Sequence, residues 1–225
     1  MSQLTDFDSL VHHTILKHII DYGYDPDVLK LSQLLNSSEK IVKDSLDRLV
    51  DNHGIVLHPN SYDIWVVHPF ALWPTLFWVT SNRGSWWGNC AWCSLGIAAL
   101  LKEDTEISTR IGGHDEPIEI NVVNGEILES DLVVHFSIPV KHAWDNVFYY
   151  CGTVLVFRSE DQVDQWCEAH RKNKGVVIPI KTTWELAKKW YGNHLAPDWK
   201  KWTVKEAQEI FTSMNLTIPS SNLLF

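Results

Sequence analysis

The strongest constraint in this sequence is a short cysteine- and tryptophan-rich stretch at residues 86–96. It holds three of the twelve tryptophans and two of the four cysteines, Cys90 and Cys93, and runs directly into an apolar segment at residues 97–101. This uninterrupted apolar segment predicts a buried helix. A helix N-terminus stabilises negative charge and lowers the pKa of a thiol placed there. The stretch therefore predicts a reactive cysteine at the start of a buried helix.

Cys90 and Cys93 form a C-x-x-C pair, a motif that by itself leaves several interpretations open. It is compatible with a redox pair, with half of a zinc site, or with chance spacing. A structural zinc needs four ligands, and the remaining cysteines, Cys151 and Cys167, do not form a second C-x-x-C. On residue context alone, Cys151 in a predicted strand and Cys167 in a predicted helix both resemble small core residues. A partner thiol for the motif has to be sought on other grounds.

Residues 1–68 predict a small helical module that ends in a hairpin. Apolar residues recur at helical spacing before Gly23 and again over residues 27–35 and 39–52, and two short strands flank a turn at residues 59–61. Three helices and a two-stranded wing follow the winged-helix order, which is usually associated with DNA binding, although a fold does not fix a function. The net charge of −9 and the mixed charges of the third helix disfavour nucleic acid as a partner. We therefore expect a structural or dimerising module.

Residues 69–225 predict a second domain of mixed α+β type. Apolar and polar residues alternate over residues 118–122, as is typical of a half-exposed antiparallel strand, and Asn124-Gly125 predicts the turn after it. Residues 147–157 predict a strand that carries Cys151. Capping residues predict helices at 160–170, 184–191 and 204–214. The expected fold class is α+β, with a winged-helix-like three-helix module before a domain of antiparallel strands and helices.

The chain carries no sign of secretion or membrane insertion. Its first residues lack a basic segment followed by an apolar one, so no signal peptide is expected. No apolar run approaches the roughly 18 residues of a membrane span. Four cysteines without a secretory signal fit a reducing compartment better than a disulfide framework. We therefore expect a cytoplasmic protein without a membrane partner, and the oligomeric state stays open.

Several motifs taken together resemble the alkylmercury lyase (organomercurial lyase) family. They are the run at residues 89–97, the aromatic residues before Cys151, and the later run at residues 157–159 with Trp166. The order of a winged-helix-like module before a mixed domain is similar as well. In that family an Ala-Trp-Cys run supplies one catalytic thiol, which matches Cys93. A later aromatic–cysteine segment supplies the second, which matches Cys151.

The resemblance implies protonolysis of a carbon–mercury bond in a small organometallic substrate. Cys93 and Cys151 would bind the mercury and weaken its bond to carbon, in keeping with the preference of soft metals for thiolate sulfur. A nearby acid would protonate the departing carbanion, and cellular thiols would then remove Hg²⁺ from the sulfurs. No cofactor is required, because mercury belongs to the substrate and product. Cys90 is a candidate additional sulfur for the metal.

One position departs from the family pattern. The resemblance places an aspartate, which acts as proton shuttle and third ligand, three residues after the first catalytic cysteine, and this chain has Gly96 there. Glycine carries no proton, so another group must supply one, and Gly96→Asp would be expected to restore the acid. The first candidate is Asp145, and Cys90 could also donate a proton once metal is bound. Ser94, directly after Cys93, is a candidate as well, and His135 and His142 are weaker ones.

Two alternatives to a lyase stay open. Gly96 motivates a non-catalytic relative that uses its thiols to bind mercury or copper, or for redox chemistry. The helix and wing order motivates a winged-helix regulator with the second domain as its sensor. The distance between the Cys93 and Cys151 sulfurs is the most informative observation, because sulfurs within about 4–5 Å can share one two-coordinate mercury if each bond is near ~2.3 Å.

Overall fold

The computed structural model describes residues 4–214 and residue 216. Its helices are α1 (Asp6–Tyr22), α2 (Val28–Leu34), α3 (Glu39–Asp51), α4 (Ala91–Leu101), α5 (Val147–Gly152), α6 (Glu160–His170), α7 (Ile180–Tyr191) and α8 (Val204–Ser213). Its strands are β1 (Val56–Leu57), β2 (Ile64–Val67), β3 (Phe70–Ala71), β4 (Phe77–Ser81), β5 (Gly84–Gly88), β6 (Thr105–Arg110), β7 (Pro117–Val123), β8 (Glu126–Ile127), β9 (Val133–Phe136), β10 (Val154–Phe157) and β11 (Val176–Pro179). Short 3₁₀ turns lie at Ile111–Gly113 and Val140–His142. None of these helices has the length and apolar character needed to cross a membrane.

The first three helices form the predicted N-terminal module, and their capping side chains explain where they begin. Thr5 caps α1 in a capping box with Asp8, and Ser38 caps α3. Helix α1 ends at Gly23, whose φ of 81° lies in the left-handed region that favours glycine. The buried Asp8 carboxylate then joins α1 to α3, because the Arg48 guanidinium lies 2.8 Å from it.

Strands β1 and β2 form the predicted hairpin, and the sheet continues beyond them. Strand β2 pairs with β3 on the other side of residue 68, so the N-terminal module and the rest of the chain share one sheet. That sheet has eight strands in the order β1-β2-β3-β5-β4-β6-β7-β8, and a second sheet has the order β10-β9-β11. All of these pairings are antiparallel. The predicted α+β class with antiparallel strands is confirmed.

Helix α4 is the central buried element of the fold. All 11 of its residues are buried, and a helix that is apolar on every side must be covered on every side. Helix α7 and strands β3, β4, β5 and β10 pack against it. The prediction of a buried helix after the cysteine pair is therefore correct, and the first turn of this helix is shielded from solvent.

The segment around Cys151 was predicted as one continuous strand, and that prediction was wrong. It forms helix α5, and strand β10 begins only at Val154. Asn146 explains the difference, because its side-chain oxygen accepts a hydrogen bond from the backbone NH of Tyr149 at 2.9 Å and so caps a helix. This local bond outweighs the preference of the neighbouring aromatic residues for strands. Cys151 therefore lies on a short helix.

Helix α7 also begins earlier than predicted, at Ile180 instead of Trp184. Pro179 precedes it and has no backbone NH group. This does not cost the helix a hydrogen bond, because the first NH groups of a helix have no acceptor within the helix. The helix ends at Tyr191, which is buried against α4. This end of α7 belongs to the functional site.

Candidate active site

Cys90 and Cys93 lie at the start of α4, where the first turn of the helix brings their sulfurs together. Cys90 is the N-cap residue, and its Sγ accepts a hydrogen bond from the Cys93 backbone NH at 3.4 Å. The two Sγ atoms lie 3.3 Å apart, with the Cys90 thiol donating to Cys93. The positive end of the helix dipole favours an anion at this turn. The C-x-x-C pair is thus both a helix cap and a thiol pair, and all four cysteines of the chain are free.

Cys151 brings a third sulfur to the same place from α5. The Sγ atoms of Cys90, Cys93 and Cys151 all lie within 4.8 Å of one another, and all three residues are buried. The side-chain amide of Asn89 donates a hydrogen bond to the Cys151 Sγ at 3.1 Å. A linear two-coordinate metal with bonds near ~2.3 Å needs its two sulfurs about 4.6 Å apart. The spacing therefore suits one soft metal ion held by two of these thiols.

The three thiols differ in how readily they lose a proton. Burial raises the pKa of Cys93, but hydrogen bonds from Cys151 and Cys90 act against it. The adjacent His68 lowers the pKa of Cys93 further, so that it lies well below its usual value. Burial raises the pKa of Cys90 and of Cys151 well above the usual value. These shifts favour the thiolate form of Cys93 and the protonated form of Cys90 and Cys151.

Two further side chains contact the Cys93 sulfur. His68, in the loop between β2 and β3, places Nδ1 at 3.5 Å from Sγ. Tyr191, the last residue of α7, places its hydroxyl oxygen at 3.5 Å from Sγ. Burial and the neighbouring thiols raise the pKa of Tyr191 well above its usual value. The hydroxyl therefore keeps its proton and can donate it in a hydrogen bond to the thiolate.

The Tyr191 ring occupies the space that a side chain at position 96 would need. A Cβ on Gly96 would lie 2.4 Å from Cδ2 and 2.7 Å from Cε2 of Tyr191. Such distances are far inside van der Waals contact, so any other residue at this position would have to displace the ring. The group that approaches Cys93 from this side is consequently a tyrosine hydroxyl.

The three thiols line a cavity of about 70 Å³. Much of its wall is aromatic, with rings from Trp92, Trp144, Tyr150, Trp190, Tyr191, Trp199 and Trp202. Within the described part of the chain, no aspartate or glutamate lines it. An aromatic wall beside sulfur ligands suits a substrate with a soft metal at one end and an apolar organic group at the other.

Two buried histidines of the cavity wall are uncharged at neutral pH. Burial lowers the pKa of His12 well below its usual value and lowers that of His194 to about 3. The His12 ring stacks on Trp199 with 3.8 Å between ring centroids, and neither of its nitrogens has a hydrogen-bond partner among the described residues. Because His12 belongs to α1, the N-terminal module forms part of the cavity wall.

Lys201 is a further lining residue, and burial lowers its pKa to about 8. Its Nζ lies 3.0 Å from Nδ1 of His53 and 5.6 Å from the centroid of the Trp144 ring. His53 stacks in turn on Trp144, with 4.7 Å between their centroids. These three contacts join the N-terminal module to the C-terminal part of the chain at the edge of the cavity.

Asp145, the first candidate for the missing acid, is not brought to the thiols. Its carboxylate lies 2.6 Å from Nδ1 of His142, and its side chain is 72% exposed. Neither Asp145 nor His142 lines the thiol cavity. Asp145 lies instead along a neighbouring surface groove that also contains Asp47 and Asp51. In this position the carboxylate faces solvent, and the structure does not support it as the proton donor.

The two other candidate acids also lie away from the cavity. Ser94 is buried within α4 and donates its hydroxyl hydrogen bond to the Ala91 carbonyl at 2.8 Å. His135 lies on β9, where its Nε2 bonds to the Lys174 carbonyl and lies near the Cys167 sulfur. Neither Ser94 nor His135 lines the thiol cavity. Cys167 is buried outside the cavity, in agreement with its prediction as a core residue.

Three residues of the site, His68, Tyr191 and Asn89, were not predicted individually from the sequence. His68 and Tyr191 lie 25 and 98 residues from Cys93 in the sequence, and no local motif marks either one. The available signal was Gly96, because a glycine inside an apolar helix indicates the close approach of another group. That signal does not reveal which group approaches.

Comparisons with known proteins identify the family and the fold of the chain. The model of the MerB family, described as alkylmercury lyase, matches residues 70–192, which is more than half of the chain and includes all three clustered cysteines. A solved structure, the mercury-bound form of MerB2, is similar in fold, with a TM-score of 0.65 and 20% sequence identity over 88% of this chain and 99% of that chain. No curated protein sequence gives a match. The family match confirms the resemblance found in the sequence, and the chain belongs to the alkylmercury lyase family.

Proposed function

We propose that this chain cleaves carbon–mercury bonds at the three-thiol cavity, with Cys93 and Cys151 as the residues that hold mercury. The observation that carries the proposal is the set of three buried sulfurs within 4.8 Å of one another beside an aromatic cavity. Thiolates bind soft metals in preference to hard ones, and the aromatic wall accommodates the carbon group. The proposed substrate is a small organomercurial, and mercury enters as part of it.

In the first step Cys93 is the nucleophile, because it is the thiol whose pKa is lowered. Its sulfur binds the mercury of a substrate R–Hg–X, where R is the organic group and X is an anionic ligand such as a thiolate. The ligand X⁻ leaves, and the product of this step is Cys93-S–Hg–R. The charge of the thiolate is thereby passed to the leaving ligand.

In the second step Cys151 supplies both a second sulfur and the proton. Its raised pKa keeps it as a thiol until mercury is bound nearby. As its sulfur bonds to mercury, the mercury–carbon bond breaks with its electron pair on carbon, and the thiol proton moves to that carbon. R–H is released, and mercury stays as Cys93-S–Hg–S-Cys151. Protons and charges balance in this step without a carboxylate at position 96.

Product release needs thiols from solution. Two external thiols exchange with the two protein sulfurs, carry Hg²⁺ away as a dithiolate, and return their protons to Cys93 and Cys151. Cys93 then loses its proton to solvent, because its pKa is low. Cys90, whose Sγ lies 3.3 Å from that of Cys93, is proposed as an auxiliary sulfur that holds mercury during this exchange. The reaction uses no cofactor.

The test of the proposal is hydrocarbon release. Purified protein with methylmercury and excess thiol is expected to release methane, which gas chromatography measures. Cys93→Ser and Cys151→Ser should each lose this release, whereas Cys167→Ser, a matched change of a buried cysteine outside the cavity, should keep it. Unchanged turnover in both cavity variants contradicts the proposal.

A second candidate function is mercury or copper binding, or thiol redox chemistry, without cleavage of a carbon–mercury bond. It is favoured by one observation, the lack of a carboxylate among the described residues of the cavity wall. Native mass spectrometry distinguishes the two functions. One tightly bound Hg²⁺ per chain, with no methane released from methylmercury over hours, supports binding alone.

We further propose that the winged-helix-like module of residues 1–68 closes the cavity and does not bind DNA. His12 and His53 come from this module and line the cavity. The two lysines of α3 pair with acidic residues on the same helix, which leaves little net positive charge to neutralise phosphates. A gel-shift assay at physiological salt should detect no retained DNA, and a specific footprint would favour a regulator instead.

The reaction also bears on where the protein works. It needs free thiols at Cys90, Cys93 and Cys151, and the close Cys90–Cys93 pair would be prone to oxidation outside a reducing compartment. The cytoplasm provides reducing conditions as well as the external thiols needed for product release. We therefore propose a cytoplasmic location.

A further inference from the structure

We propose that Lys201 binds the anionic end of the thiols that exchange with mercury in the three-thiol cavity, so that the preferred thiols carry a carboxylate. This role rests on the function proposed above, in which external thiols replace the protein sulfurs on mercury, and it specifies the chemical class of those thiols. The exchange can be measured on mercury-loaded protein without cleavage of a carbon–mercury bond. The binding role of the lysine can therefore be tested separately from the lyase activity.

Lys201 gives the cavity wall a positive charge that no carboxylate balances. It is the one lysine or arginine among the described lining residues, and no aspartate or glutamate is among them. Burial lowers the pKa of the lining histidines His12, His53 and His194, which keeps them uncharged at neutral pH. An anionic ligand that enters the cavity therefore finds its opposite charge at Lys201.

The ammonium group of Lys201 is half-buried and has no anionic partner within the described part of the chain. Its Nζ donates a hydrogen bond to Nδ1 of His53 at 3.0 Å. Burial lowers the pKa of the lysine to about 8, so the protonated form still predominates at neutral pH. Charges removed from water are normally paired. Because an ammonium has three N–H donors, donors remain for an anion from outside the chain.

Lys200, the preceding residue, is a contrasting case. Its Nζ lies 3.5 Å from the Asp6 carboxylate, and its side chain is 55% exposed. It does not line the thiol cavity. Of two adjacent lysines, one is thus paired within the chain at the surface, and the other faces the cavity without a carboxylate.

A row of aromatic rings connects Lys201 with the reactive sulfur. Nζ lies 5.6 Å from the centroid of the Trp144 ring, and that ring meets His68 edge to face with 5.4 Å between centroids. His68 Nδ1 lies in turn 3.5 Å from the Cys93 Sγ. Lysine and sulfur belong to the wall of one cavity. The wall between them suits a small ligand with sulfur at one end and an anionic group at the other.

The carboxylate of such a thiol would hold it in place and would not react. It pairs with the Lys201 ammonium, since hydrogen bonds between charged groups are the strong ones, and the thiol sulfur bonds to mercury. One bond between mercury and a protein sulfur breaks, and the thiol proton passes to that sulfur. The charges of the carboxylate and the ammonium stay the same throughout. A carboxylate-bearing thiol therefore exchanges faster than a neutral thiol, and a thiol with an ammonium group is repelled.

The test compares two-carbon thiols that differ at the end opposite the sulfur. Thioglycolate carries a carboxylate, mercaptoethanol a hydroxyl and cysteamine an ammonium group. Protein loaded with one Hg²⁺ is mixed with each thiol at neutral pH and low salt, and native mass spectrometry follows the loss of mercury with time. For each protein the rate with thioglycolate is divided by the rate with mercaptoethanol. Comparing this ratio between variants cancels the intrinsic reactivity of each thiol.

Lys201→Met keeps the length of the side chain and removes its charge. It should lower the ratio about tenfold, the size expected for one hydrogen bond between charged groups, and should lower the ratio of thioglycolate to cysteamine rates further. Lys201→Gln, which can still donate to His53, should show the same loss. Lys201→Arg retains the charge and should keep the preference for thioglycolate. Lys200→Met, the matched control, should leave the ratio unchanged.

Each outcome separates the role of Lys201 from the lyase function. Equal ratios in Lys201→Met, Lys201→Gln and the wild type overturn the proposed role, even if methane is released normally from methylmercury. A lowered ratio in a protein that releases no methane supports the role of the lysine and contradicts the lyase function. A wild-type protein that retains no Hg²⁺ contradicts both.

Discussion

The side-chain amide of Asn89 donates a hydrogen bond to the sulfur of Cys151 at 3.1 Å, across 62 residues of sequence. Asn89 directly precedes the N-cap of α4, so this bond fastens the segment that carries Cys151 to the segment that carries Cys90 and Cys93. The amide can donate to the sulfur whether Cys151 is a thiol or bound to metal. The spacing of the three sulfurs thus depends on a residue that does not itself bind mercury.

Asn89→Ala should consequently weaken the reaction while the fold is retained. Loss of the amide frees the Cys151 sulfur to turn, and removal of a residue that orients a metal ligand typically costs about tenfold to a hundredfold in activity or metal affinity. Methane release and Hg²⁺ affinity measure the effect. Asn121→Ala is a matched control, because Asn121 lies on β7 of the large sheet and bonds to Glu129, away from the thiols. Equal activity in the two variants would show that Asn89 has no orienting role.

Local signals in the sequence were sufficient for much of the fold. The capping box of Thr203 and Glu206 predicted the start of α8 and is present, and the apolar run after Cys93 predicted the buried α4. Each of these features depends on residues within one or two turns of one another. Such features can be predicted because the chain provides the cap or the periodicity at the same place that it affects.

The parts of the site that sequence could not predict depend on contacts between distant segments. The helix around Cys151 depends on a single capping bond from Asn146, which aromatic strand preference concealed. The contact of Tyr191 with Cys93 depends on how α7 packs on α4, and no spacing within either helix specifies it. The resemblance identified the two thiols, but it directed the search for an acid to Asp145, which is exposed.

The ion pair of Asp8 and Arg48 predicts a loss of stability in acid. Burial raises the pKa of Asp8, but hydrogen bonds from Arg48, Ser45 and Thr5 outweigh burial and lower it from 3.8 to about 2. Because the folded-state pKa is the lower one, the stabilisation is complete above the unfolded value and is lost as pH falls through the folded value. This shift corresponds to about 2 kcal/mol. Unfolding by denaturant at a series of pH values should show the fall between about pH 4 and pH 2.

Asp8→Asn should remove that acid-sensitive stabilisation at neutral pH as well. The buried carboxylate is lost and Arg48 is left without its partner, so the free energy of unfolding should fall by about 2 kcal/mol or more. Asp44→Asn is the matched control on α3, because Asp44 forms an exposed pair with Lys40, and such pairs contribute less than about 1 kcal/mol. A variant at Asp8 with unchanged stability would mean that burial of the carboxylate cancels the gain from pairing.

Gly96→Asp is expected to harm the protein instead of restoring an acid, which reverses the expectation from sequence. Its Cβ would lie 2.4 Å from the Tyr191 ring, and forcing extra atoms into a packed core typically costs about 1–3 kcal/mol. Thermal unfolding should show a lowered melting temperature, and methane release should fall. Gly96→Asp/Tyr191→Ala, which makes room for the carboxylate, should recover part of the lost stability. A single variant that gains turnover at wild-type stability would contradict this account.

The size of the cavity predicts a preference among organic groups. It measures about 70 Å³, whereas an engineered apolar cavity that holds one benzene ring measures about 150 Å³. Methylmercury should therefore react faster than phenylmercury. Trp144→Ala should enlarge the cavity and raise the ratio of phenylmercury to methylmercury turnover by about tenfold. A small change in pocket volume typically changes the discrimination between substrates by at least this factor.

The matched control is Trp78→Ala, which removes a half-buried ring that packs on Trp87 outside the cavity. The same ratio in both variants and the wild type would mean that the aromatic wall does not limit the organic group.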